Sequence, residues 1–98
     1  MAELRWTEEA YQWLRDIYNY IATDNPTAAQ RVVSGIYEKA QILRRFPEIG
    51  HKYRDEEDGE IRILLYGHYR IAYQIRSASI IDILGVFHGA LDIDRYLP

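Results

Sequence analysis

The feature that most constrains the fold is a change of hydrophobic period part-way along the chain. From Ala10 to Leu43 apolar residues recur at helical spacing, whereas from Ile61 to His88 they alternate. One element cannot serve both periods, because a helix returns side chains to one face every third or fourth position and a strand every second. The chain therefore reads as helices first and strands second, an α+β arrangement in one domain over residues 1–98.

The first helix has a start signal and a stripe. Thr7 suits the N-cap, since its hydroxyl can accept a free amide of the first turn, and Glu8 and Glu9 follow at the positive end of the helix dipole. Ala10, Leu14, Ile17 and Ile21 form the apolar stripe, flanked by Trp13, Tyr18 and Tyr20. Asp24-Asn25-Pro26 ends this helix and begins another, with Asn25 as cap and Pro26 at the first helical position. Ala29, Val33, Ile36, Ala40 and Leu43 carry the second stripe, and so short a link predicts an antiparallel hairpin. Phe46-Pro47 marks the exit, with a turn near Gly50.

Residues 47–60 read as a polar connection, and the acidic run Asp55, Glu56, Glu57, Asp58 and Glu60 as a solvated loop. Three strands in a meander are expected next. Ile61–Tyr66 has Ile61, Ile63 and Leu65 on one face, and Gly67-His68 makes a tight turn. Tyr69–Arg76 has Tyr69, Ile71, Tyr73 and Ile75 on the face packed on the helices, with Arg70, Ala72, Gln74 and Arg76 on a polar face. Ile80–His88 is rich enough in β-branched residues to be a buried central strand. Leu4-Arg5-Trp6 is an extended lead-in able to form an edge strand, and Gly89–Pro98 a turn with a short extended or helical piece.

The chain has 98 residues, 15 of them acidic and 12 basic, for a net charge of −3, which argues against nucleic-acid binding through overall charge. It has no cysteine, so a reducing, cytoplasmic setting is expected. The opening MAELRWTEEA lacks the pattern of a secretory leader, and no apolar run is long enough for a membrane span. His51 and His68 read as exposed loop residues whose spacing offers no metal site, and no phosphate-binding loop or Cys/His cluster is present, so no cofactor is expected.

Four stretches, in order, resemble the RelE/ParE toxin superfamily. Tyr20–Ala29 resembles its hairpin turn, and Leu43-Arg44-Arg45-Phe46-Pro47-Glu48-Ile49-Gly50 its "L…FP..G" exit from the second helix. Ile61-Arg62-Ile63-Leu64 followed by His68-Tyr69-Arg70-Ile71-Ala72-Tyr73 resembles its strand pair, and Val86–Asp92 its "V.H…D" ending. The resemblance implies a two-helix hairpin packed on a small antiparallel sheet. It also implies a growth-inhibiting toxin of a type II toxin–antitoxin module, of the kind linked to plasmid stabilisation. A cognate ParD- or RelB-like antitoxin would neutralise it within a higher-order complex. RelE-like members cut mRNA on the ribosome, whereas ParE-like members poison DNA gyrase.

Metal-free RNA cleavage needs a base for the 2′-hydroxyl and cations around the phosphate. The candidates the resemblance supplies are Arg62, Arg70, His88, Arg95 and Tyr96, with Arg62 at a cross-strand position from Arg70. Each also has a plain structural reading: Arg70 as a surface partner of Asp82, and His88 as a hydrogen-bonded strand-end residue. The strand at 61–65 has no lysine, and the acidic run just before it would oppose RNA, so the ParE-like reading is favoured. A non-toxic member that only binds antitoxin is the third reading.

Overall fold

In the computed structural model, which describes residues 1–97, the lead-in is a strand, β1 (Glu3–Trp6). Helices α1 (Glu8–Ala22) and α2 (Pro26–Gln41) follow as a hairpin, the second prolonged by a 3-10 turn at Ile42–Arg44. Both predicted caps form. The Thr7 hydroxyl accepts from the Ala10 N–H at 3.2 Å and donates to the Ile83 carbonyl at 2.7 Å, so one group caps α1 and fixes it to the sheet. The Asn25 side chain accepts from the Ala28 N–H at 3.0 Å.

The sheet has five strands rather than three. To β1 it adds β2 (His51–Glu56), β3 (Gly59–Tyr66), β4 (Tyr69–Ser77) and β5 (Ile80–His88), in the order β1-β5-β4-β3-β2. The β2–β5 portion is antiparallel, whereas β1 lies parallel to β5. This makes β5 an interior strand between β1 and β4, as its apolar sequence predicts, while β4 is the middle one.

The stretch expected to be a polar connection is thus partly β2, and of the acidic run only Glu57-Asp58 is the exposed turn, with Asp55 and Glu56 in β2 and Glu60 in β3. Asp55 lies opposite Glu60 and Glu56 opposite Gly59, closing a tight hairpin in which Gly59 adopts φ 135°. A side chain at Gly59 would put its Cβ 1.9 Å from the Ile75 carbonyl oxygen. The strand escapes a periodicity reading because it is an edge, where charged residues normally replace apolar ones, and because a bulge between Lys52 and Arg54 breaks its alternation.

Both faces of the sheet are buried. On one, Leu14, Ile36, Ala40 and Leu43 of the helical layer pack on Leu64, Ile71, Tyr73, Ile81, Ile83 and Val86. On the other, Ile61, Ile63, Ala72 and Phe87 are covered by Ile93 and Leu97 of the C-terminal tail, which makes a 3-10 turn at Ile93–Arg95. The face of β3 that carries Ile61 and Ile63 therefore looks away from the helices, and Leu64 and Tyr66 of β3 pack on the helical side. Leu65 ends that second face 58% exposed. Trp13 joins the two layers, its ring meeting Phe87 and Tyr96 edge-on at 4.7 and 5.1 Å.

Candidate functional site

The strand register decides how the predicted site residues relate. Arg62 lies directly opposite Tyr73, and Arg70 directly opposite Leu65 on β3 and Phe87 on β5. Directly opposed residues share a face, so Arg62 belongs to the helix side with Tyr73 and Arg70 to the tail side with Phe87. The cross-strand pair expected from the sequence is therefore split between opposite sides of the sheet.

Each arginine is also engaged. The Arg62 Nη1 donates to the carbonyls of Glu48 at 3.1 Å and Gly50 at 2.7 Å, while its Nε donates to Glu60 at 2.7 Å. The Arg70 Nη2 donates to the carbonyls of Gly89 at 3.2 Å and Leu91 at 2.6 Å. The polar face predicted for Arg70, Ala72, Gln74 and Arg76 is thus a covered one: Ala72 and Gln74 are buried, and Arg70 fastens the tail across it. Arg70 does not pair with Asp82. That carboxylate receives Arg5 at 2.7 and 3.1 Å through Nε and Nη2, and Arg76 through its Nε.

The Arg5 hydrogen bonds, reinforced by Arg76, hold the Asp82 carboxyl below its ordinary value of 3.8 despite burial. Arg76 continues to Asp58, which also accepts from the Gln74 amide at 2.9 Å. Lys52 meets Asp55 at 2.7 Å, and Arg54 meets Glu56 at 2.7 Å. Asp55, Glu56 and Asp58 thereby each have a cationic partner, as does Glu60 through Arg62; Glu57, exposed at the turn, is the member of the run with no ion pair among the described residues.

His88 is exposed at the end of β5. It lies opposite Tyr69, and its Nδ1 accepts from the Ala90 N–H at 3.3 Å. Arg95 and Tyr96 are exposed in the tail, where the Tyr96 ring stacks on Phe87 at 5.8 Å. Among the described residues no group of three or more His, Cys, Asp or Glu could hold a metal ion, and no helix is long and apolar enough to cross a membrane.

Two features lie outside these candidates. Tyr11, Tyr18 and Tyr37 line a groove of about 700 Å³ along the helix hairpin, floored by Leu14 and Val33. Trp6 stiffens its end by stacking on Tyr11 and Tyr37, with ring centroids 5.9 and 5.6 Å away. The second feature is the exit loop of α2. The buried Tyr73 hydroxyl donates to the Pro47 carbonyl at 2.6 Å and accepts from the Gly50 N–H at 3.0 Å. Gly50 fits because a Cβ there would come within 2.6 Å of the Ile63 carbonyl oxygen. Nothing in the alternation of β4 distinguishes Tyr73 from its apolar neighbours. Its hydroxyl had to find a buried partner, and that is the one signal the sequence carries.

The profile of the ParE toxin of type II toxin–antitoxin systems (parDE) matches residues 4–93. The chain belongs to the ParE toxin family. It is 35% identical over 86 residues to the candidate toxin Y4kP of Sinorhizobium fredii (strain NBRC 101917 / NGR234), covering 88% of this chain and 86% of that protein. Its fold is similar to a chain of the chromosomal ParDE toxin–antitoxin system from P. aeruginosa, with a TM-score of 0.73 and 25% identity over 90% of this chain and 96% of that one. The hairpin-on-sheet architecture expected from the RelE/ParE resemblance is therefore shared with a ParDE structure, and the ParE-like side of the superfamily is the right one. The protein is a type II toxin.

Proposed function

We propose that this ParE-family chain arrests growth by inhibiting DNA gyrase, and that a cognate antitoxin neutralises it by covering part of the helix hairpin and a sheet edge. The observation that supports a protein target over mRNA cleavage is the split of Arg62 and Arg70 to opposite faces, each donating to main-chain carbonyls. A nuclease must converge cations on one phosphate. These two cannot do so without dismantling the loop and the tail they hold. The pairing of the acidic run removes one electrostatic objection to RNA, so the reading rests on this geometry and on the family. His88, Arg95 and Tyr96, all exposed, are the candidates that an mRNA endonuclease of this fold would still have available.

The antitoxin half of the proposal draws on the hairpin groove. Its tyrosines offer large, stiff contact area, and an amphipathic helix would fill a trough of this kind. Supercoiling and DNA-cleavage assays with purified gyrase, run beside toe-printing on translating ribosomes, test the target. Inhibited supercoiling with trapped cleaved DNA and no mRNA cut is the expected result. A discrete cut in the ribosomal A site would replace gyrase with mRNA. Neither activity would leave an antitoxin-binding member without toxicity.

A further inference from the structure

Helix α1 borders a cavity on each of two sides. The hairpin groove lies on one. On the other, the helix meets the ends of β4 and β5 around a pocket of about 450 Å³, lined by Trp13, Tyr20, Tyr69 and His88 together with Asp16 and Ile17. The Tyr69 and His88 rings form a corner, inclined at 87° with centroids 5.9 Å apart. Burial, and Tyr20 beside it, push the Tyr69 hydroxyl above its ordinary value of 10, whereas Tyr20 itself is 77% exposed. Phe87 and Tyr96 hold the Trp13 ring edge-on, and the Ala90 N–H holds the His88 Nδ1. Walls fixed in this way meet a ligand with little left to order at binding.

The chemistry of the lining suits a cation. The faces of aromatic rings carry negative charge density, and rings set at an angle turn more than one face toward the same point. Among the described residues no lysine or arginine lines the pocket, and Asp16 supplies its carboxylate. The His88 Nδ1 accepts a hydrogen bond, so that nitrogen carries no proton. Arg70 belongs to the opposite face of the sheet, with its Nη2 committed to the Gly89 and Leu91 carbonyls. A nucleotide fits poorly, because its phosphate would meet Asp16 with no cation of the lining to offset it.

Asp16 also joins the pocket to the groove. It accepts from the Gln12 amide at 2.9 Å, and the Gln12 carbonyl receives Arg15 at 3.5 Å; Gln12 and Arg15 both line the groove. The two cavities are thus separated by the width of one helix, about 10 Å, which roughly three extended residues span. We propose that the pocket is a cage for one arginine or lysine side chain of the cognate antitoxin, carried by the segment adjoining the helix that fills the groove; this rests on the antitoxin reading above.

The test uses the full chain and its neighbour-encoded antitoxin, with affinity measured by calorimetry at low and high salt. Tyr20→Ala, Tyr20→Phe and Asp16→Asn report on the cage, and Tyr11→Ala on the groove. The three cage variants should melt within about 3 °C of the wild type, because both side chains are exposed. Tyr20→Ala should weaken antitoxin binding about five- to thirtyfold, the range of a cation–π contact on its way to full desolvation. Tyr20→Phe keeps the ring face and should stay within about twofold. Asp16→Asn should weaken binding more at low salt than at high salt. Among alanine replacements of the antitoxin's arginines and lysines, one should couple to Tyr20→Ala by at least about threefold in a double-mutant cycle. Wild-type affinity in Tyr20→Ala would overturn the cage, as would coupling only to an apolar antitoxin side chain. An equal loss in Tyr20→Phe would assign a hydroxyl contact and overturn it too. Should Tyr11→Ala weaken binding while the cage variants do not, the groove reading stands and the cage falls. The reverse result would uphold the cage and remove the antitoxin helix from the groove. No binding of antitoxin by the wild-type chain would overturn both.

Discussion

Replacing Arg70 separates a contact residue from a fastener. If Arg70 met a target from an open polar face, Arg70→Ala would leave stability almost untouched, since exposed substitutions usually stay within about 0.5 kcal/mol. The structure makes it a fastener. Its Nη2 bonds the carbonyls of Gly89 and Leu91, and the segment so held carries Ile93 and Leu97 onto Ile61, Ile63, Ala72 and Phe87. Hydrogen bonds from a charged donor contribute about 1.5–3 kcal/mol each, but here both come from one nitrogen and one carbonyl lies at the surface, so about 2 kcal/mol in all is reasonable. For a domain near 100 residues that is a fall of roughly 8–16 °C in melting temperature. Arg70→Lys keeps the charge but not the planar fork, and should recover about half of the loss. Thermal melting gives the total. Hydrogen exchange at the amides of Gly89 and Leu91, which donate to the carbonyls of His68 and His88, locates it in the tail. A melting temperature within about 2 °C of wild type, with those amides unchanged, would refute the fastening role. Reduced toxicity of an Arg70 variant accordingly identifies a target contact only if the tail remains in place.

Tyr73→Phe should lower stability by about 1–3 kcal/mol, because the Pro47 carbonyl and the Gly50 N–H lose their shared partner; a urea denaturation midpoint checks this, and faster exchange at the Gly50 amide should accompany it. Asp82 gives a pH dependence with a definite sign: its folded pKa lies below 3.8, so its contribution is complete above that value and disappears as pH falls through it. Urea midpoints should therefore fall below about pH 4, and the gap between wild type and Asp82→Asn should narrow there while remaining open at pH 7. Leu65→Ser should leave the unfolding free energy from urea titration within about 0.5 kcal/mol of wild type, since that side chain is 58% exposed; a larger loss would mean that the second sheet face extends further than its buried residues indicate.

The readable parts of this fold are those whose causes are local. A hydroxyl at Thr7 and an amide at Asn25, each ahead of an apolar stripe, are sufficient to start a helix, and the structure uses both. The ladder between β3 and β4 was legible further than strand alternation alone takes it. A two-residue turn at Gly67-His68 closes Tyr66 against Tyr69, and that register puts Arg62 opposite Tyr73 and Arg70 opposite Leu65. Naming the turn already separates the two arginines, because opposed residues share a face and Tyr73 and Leu65 do not. Alternation shows which residues of one strand go together; only the turn shows which residues of two strands do. What the sequence withholds is non-local. β2 shows charge where an interior strand would show apolar residues, and its pairing with β3 is set by contacts across the hairpin. The tail's destination depends on a second apolar face that exists only once β3, β4 and β5 are aligned and Ile61, Ile63, Ala72 and Phe87 meet. Until then Arg70 looks like a free cation in a polar row, which is how a fastener can be mistaken for a working residue.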